Sequence, residues 1–137
     1  MISFKTAKDL KEAGLEWNAQ IGDWFANDLG ASIVISPSQE GSVLRRYYFW
    51  IPHFDQLLEE GVKRGYWIAI VPYPTKTKVI WEALLYTWWN GDFCELTEKE
   101  FMEGDKSNVP LFVHDFPEEA AAQALLWILR KGGITDV

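Results

Sequence analysis

The clearest periodicity in the chain lies in residues 115–131, DFPEEAAAQALLWILRK. At 100° per residue, Pro117, Ala120, Ala121, Ala124, Trp127, Ile128 and the stem of Lys131 share one side. The alanines there would let the backbone sit close to a sheet. Asp115 with Glu118 three residues on has the form of a capping box, and Pro117 suits a first turn that needs no N–H. Glu118 and Glu119 meet the positive end of the helix dipole, and Arg130 and Lys131 the negative end. Gly132 and Gly133 then stop the helix, which is predicted over 116–131. Leu126 falls on the opposite side with Glu119, Gln123 and Arg130, and Leu129 flanks it. These two leucines do not fit a simple core-facing stripe, so they are the candidate interface residues.

Elsewhere period two dominates. In residues 15–21, Leu15, Trp17, Ala19 and Ile21 alternate with Glu16, Asn18 and Gln20, which predicts a half-buried strand broken at Gly22-Asp23 ahead of Trp24 and Phe25. Residues 31–36 are β-branched and short, hence a strand after a turn at 27–30. Residues 42–51, SVLRRYYFWI, alternate as a strand with one wetter side that Pro52 ends. Residues 66–73, YWIAIVPY, are apolar almost throughout and read as a central strand. Residues 79–89 are long enough for a helix, but Asn90-Gly91 follows directly, and that dipeptide between apolar runs selects a hairpin with a returning strand at 92–96. Pro110 makes 109–114 a short edge strand.

Helical periods are shorter. Residues 1–4 read as a short strand or a loose end, after which Thr6 caps a brief helix that Gly14 stops. Residues 53–64 form a helix with Phe54, Leu57, Leu58 and Val62 inward, and Thr97-x-x-Glu100 opens another that stops at Gly104. Strands follow one another through short turns rather than through helices. The expected architecture is α+β, in one domain over 1–137: a largely antiparallel twisted sheet of about five to seven strands, with two or three helices on one face.

Composition narrows the function classes. A chain of 137 residues with 48% hydrophobic residues folds, and eight tryptophans imply a thick aromatic core or a binding face. The net charge of −7 opposes non-specific binding to nucleic acid or to an anionic membrane. Cys94 stands alone, so a disulfide scaffold is excluded. Charged residues from Lys5 to Glu12 interrupt any leader-like run, and no apolar run approaches the ~20 residues of a membrane span. A cytoplasmic protein is expected, without membrane association and without a cofactor.

Candidate chemistry is sparse. His53, His114 and Asp115, with Cys94, Asp92 or Asp23, are weak metal candidates, since no pair has the spacing of a metal motif. Cys94 with either histidine is a candidate nucleophile and base. Arg46, Tyr48 and Trp50 would share a strand face and resemble a stacking platform for single-stranded nucleic acid. Glu95, Glu98, Glu100, Glu103 and Asp105 against Lys99 make a local charge of −4 (five acids less one base), a solvated face or a surface for a basic partner.

The run Trp50-Ile51-Pro52-His53-Phe54-Asp55-Gln56-Leu57-Leu58-Glu59 with Gly65-Tyr66, and the closing Asp115-Phe116-Pro117-Glu118-Glu119-Ala120, resemble short proteins of phages and prophages of Gram-positive bacteria. That resemblance implies a cytoplasmic protein of phage or mobile-element origin with no assigned activity. A strand followed by Asp-x-Pro-Glu-Glu-Ala is also similar to HicB-like antitoxin domains, although their glycine-containing turns before the helix are missing here. Neither resemblance transfers a functional residue. The leading expectation is a small non-catalytic protein that contacts another protein or a second copy of itself. Its rivals are a metal- or Cys/His-dependent hydrolase or nuclease, and a single-strand binder.

Overall fold

A computed structural model describes residues 1–41, 44–97, 99 and 109–131, with only the backbone of Arg45. The chain is α+β, with its strands in two antiparallel sheets rather than one. Helix α1 (Phe4–Glu12) is followed by β1 (Trp24–Asn27), β2 (Gly30–Ile33) and β3 (Phe49–Ile51), which form a first sheet in the order β2-β1-β3. Helix α2 (Phe54–Lys63) leads into β4 (Tyr66–Pro74), β5 (Val79–Trp89), β6 (Asp92–Glu95) and β7 (Phe112–His114). In this second sheet β5 pairs with β4 along one side and with β6 and β7 along the other. Helix α3 (Pro117–Lys131) packs on β5, β4 and β7, and on α1 and α2.

The long hairpins follow the expected chemistry. β5 is a strand, and Asn90 and Gly91 both adopt positive φ (52° and 81°), the primed turn that matches the twist of the strands. Gly61 looks like a weak point inside α2. It is needed there, because a Cβ would lie 3.0 Å from Ile68, where β4 closes on the helix.

Several expectations are corrected. α1 begins at Phe4, capped by Ser3, whose Oγ accepts the Thr6 N–H at 3.1 Å. The Thr6 hydroxyl instead donates to the buried Glu119 carboxylate at 2.9 Å, and Glu119 also accepts from the Ser3 N–H. Tertiary contact with α3 therefore moves the start of α1. Residues 15–21 keep their alternation, with Leu15, Trp17 and Ala19 buried, but among the described residues they make only one isolated bridge, Ala19 to Gly41. Ile21 is exposed on the turn before Gly22. Of the strand expected over 42–51, only Phe49–Ile51 are in a strand, and Leu44–Arg46 form a short 3-10 turn instead. Val62 is exposed. β4 is an edge and β5 the centre, so an apolar run did not by itself mark the central strand.

The largest correction concerns α3. Its start is fixed one residue beyond expectation, because the Asp115 carboxylate pairs with Lys78 at 2.7 Å and His114 Nδ1 takes the Phe116 N–H at 3.1 Å. Leu126 is 2% exposed, and Leu129 is half-buried against the core. Glu119 and Leu126 lie two turns apart on one side, and Glu119 is bonded to the start of α1. The side expected to face outward is thus turned into the molecule: Leu126 is a packing residue, and Leu129 is half-buried against the core rather than part of an exposed patch. Leu96, Thr97 and Lys99 are helical, but the rest of the helix expected from Thr97 to Gly104, most of the acidic run that includes Glu98, Glu100, Glu103 and Asp105, and the Gly132-Gly133 stop lie outside the described residues.

Candidate functional site

Strand parity divides the second sheet into two faces. Tyr66 and Ile68 on β4, Ala83 and Leu85 on β5, and Phe112 on β7 are buried on the inner face. The opposite parity forms an outer face on which no described helix packs. Trp67 lies opposite Tyr86, Tyr86 opposite Glu95, and Trp88 opposite Phe93. Trp67 (43% exposed), Trp88 (61%) and Phe93 (45%) form one ring cluster across three strands. The Trp67 and Phe93 centroids are 4.4 Å apart at 77°, and those of Trp88 and Phe93 5.0 Å apart at 88°. Edge-to-face contacts of this kind hold large rings in place on a surface. Tyr73 and Val113 continue the exposed apolar area.

Two carboxylates interrupt this face. Glu82 lies opposite Val71 and Val113, and Glu95 opposite Tyr86. Both residues are half-buried, and neither forms an ion pair among the described residues. Pro72 and Pro74 sit at alternate positions of the edge strand β4. Each lacks the N–H that an added strand would need.

A cleft lies on the other part of the molecule. Its larger lobe, about 740 Å³, is lined by residues from 14–23, Trp50 and α2. Asp23 is buried in its wall and accepts from Trp17 Nε1 (3.0 Å), the Gln20 N–H (2.9 Å) and Gln56 Nε2 (2.8 Å). Glu60 is buried between Arg64 (2.7 Å) and Lys63 (3.0 Å). Asp23 ties the 15–23 segment to α2 through Gln56, whereas Glu60 is held by cations at the end of its own helix. A smaller lobe of about 440 Å³ adjoins it at Gly14, Glu16, Trp17 and Trp50. The Trp50 indole Nε1–H, buried between the lobes, has no acceptor among the described residues.

Arg46, Tyr48 and Trp50 do line that smaller lobe together with Lys11, whose Nζ donates to the Tyr48 carbonyl at 3.0 Å. They do not share a strand face, because Arg46 ends a 3-10 turn and only Trp50 is in a strand. Trp50 is 9% exposed and offers no open ring surface for a base.

The metal and nucleophile candidates are not brought together. His53 caps α2, its Nε2 lying 3.3 Å from the Gly22 carbonyl. His114 and Asp115 lie beside β5, where the hydrogen bond from Lys78 holds the Asp115 carboxyl below its ordinary value. Cys94 pairs with Thr87 and His114 with Trp81, six residues along β5 and hence about 20 Å apart. Among the described residues no three His, Cys, Asp or Glu side chains gather to hold a metal, and no helix is long and apolar enough to cross a membrane.

Compared with family models, curated proteins and solved structures, the chain matches none. The outer-face aromatics were missed at the level of sequence, yet a signal was there. Residues 66–73 are apolar at both parities. In a sheet with helices on one face only, that leaves an apolar face uncovered.

Proposed function

We propose that this protein is a small non-catalytic module that acts by holding another protein against the outer face of the second sheet. A phage or prophage origin and a cytoplasmic setting belong to the same proposal and rest on the sequence resemblance. The observation that carries the reading is the exposed Trp67/Phe93/Trp88 cluster. Large aromatics are the residues that concentrate binding energy at protein interfaces, and isolated surface apolar residues do not usually form such a connected patch. The reading is tested by immobilising wild-type protein and a Trp88→Ser/Phe93→Ser variant and comparing the proteins each retains from its native cell. A partner retained by the wild type and lost by an equally stable variant is expected. Identical retained sets would refute the reading.

A second reading, single-strand nucleic-acid binding, is favoured by one observation: Lys11, Arg46 and Tyr48 line one cleft. It predicts quenching of tryptophan fluorescence by an oligonucleotide, weakening steeply with salt. No quenching at low salt would end it.

A further inference from the structure

Both faces of the second sheet are apolar, and the chain covers one of them with its own helix. Building on the docking reading above, we infer that the outer face takes an amphipathic helix from a partner protein, with an aliphatic stripe flanked by lysine or arginine.

Three observations select this occupant. First, the β4 edge resists an added strand, since Pro72 and Pro74 remove donors from its far half. Along this half of the β4 edge a partner then lies over the face rather than beside it. Second, the inner face of this sheet is covered by helix α3, and a sheet apolar on both faces is completed by a helix layer on each.

Third, the face carries Glu82 and Glu95, half-buried and without ion pairs among the described residues. A purely apolar partner would bury both carboxylates unpaired, which the loss of their hydration strongly disfavours. A second copy docked face to face would bring the same two carboxylates from each side into one interface, within a pair of chains each carrying −7. A partner with cations turns both groups into charge-assisted contacts.

The spacing can be stated. Glu95 lies beside Tyr86, four residues along β5 from Glu82, so the two carboxylates are about 14 Å apart along the strand. On a helix lying along β5, cations at i and i+7 or i+11 span roughly 10 to 17 Å on one side, within reach of long side chains. Between the two carboxylates the stripe would cross Leu84 and Ala69, and continuing past Glu95 it would meet the Trp67/Phe93/Trp88 cluster.

The test is selection of a displayed library of random 18-residue peptides on the wild-type protein, with counter-selection on Trp88→Ser/Phe93→Ser. Both substituted residues are exposed, so the variant should fold, and its circular dichroism and melting temperature check this. Enriched peptides are expected to carry aliphatic residues at helical spacing with flanking lysine or arginine, and to gain helical signal on binding. Their affinity should fall about tenfold on Glu82→Gln or Glu95→Gln alone and roughly a hundredfold on Glu82→Gln/Glu95→Gln, one charge-assisted contact being lost at each position. Enrichment of acidic peptides or of period-two patterns would overturn the helix-and-cation inference and leave the docking reading standing. So would mutual binding of two copies through this face. A library giving no peptide that distinguishes wild type from the variant also overturns it. The docking reading then falls as well only if protein capture from the native cell is equally indifferent to Trp88 and Phe93.

Discussion

The two faces of the second sheet have almost the same hydrophobicity and opposite fates. On the inner face Ala83, Leu85 and Phe112 disappear beneath α3, whose Ala120, Ala121 and Ala124 bring the helix backbone close. On the outer face Trp67, Trp88 and Phe93 hold one another edge to face and remain open. Small residues permit close approach within a chain, whereas large rings spread area for contact with something else. The difference teaches that apolar character alone does not tell core from interface. Residue size and the placement of charge do. No described carboxylate lies on the inner parity of β5, while Glu82 lies on the outer one.

Substitutions can break this contrast in order of effect. Leu126→Glu places a charge where the side chain is wholly enclosed, and it should cost roughly 4 kcal/mol or more in urea unfolding, enough to threaten the fold. Retained stability would mean that Leu126 is not core. Asp23→Ala removes the acceptor shared by Trp17, Gln20 and Gln56, and a loss of about 2–3 kcal/mol is expected, since three donors lose their partner. A loss within experimental error would show that the 15–23 segment does not depend on this network.

By contrast, Trp88→Ser/Phe93→Ser should cost about 1 kcal/mol or less, because both side chains are substantially exposed in the folded state. A drop comparable to that of Leu126→Glu would show that the rings are structural.

The smallest effect is expected at Lys78→Met. The Asp115 carboxyl is held below its ordinary value by the hydrogen bond from Lys78. A depressed carboxylate favours the fold above its unfolded value and loses that contribution as the pH falls through the folded value. In the variant the carboxyl should titrate at a higher pH by NMR, and the slight acid sensitivity should vanish. An unchanged titration would mean that the pair seen at 2.7 Å is not maintained in solution.

Local signals were enough for α2, β5 and the Asn90-Gly91 turn, because helix caps and primed turns depend on a few neighbouring residues. They failed where distant groups decide. Thr6 looks like a cap until Glu119, remote in sequence, takes its hydroxyl. Leu126 looks outward until α3 is packed against α1, α2 and the sheet, where it is buried. Residues 15–21 look like a strand, but their hydrogen bonds go to Asp23, Gly41 and a turn. The outer-face site was legible only indirectly, since both parities of 66–73 are apolar and only the sheet topology reveals which parity is left uncovered.

The most direct test is photo-crosslinking in the native cell from a benzophenone side chain at position 88, compared with one at Glu59 on the exposed side of α2. The account predicts a discrete protein adduct from position 88 that is absent from position 59. Equal labelling from both positions, or no adduct from position 88, would contradict it.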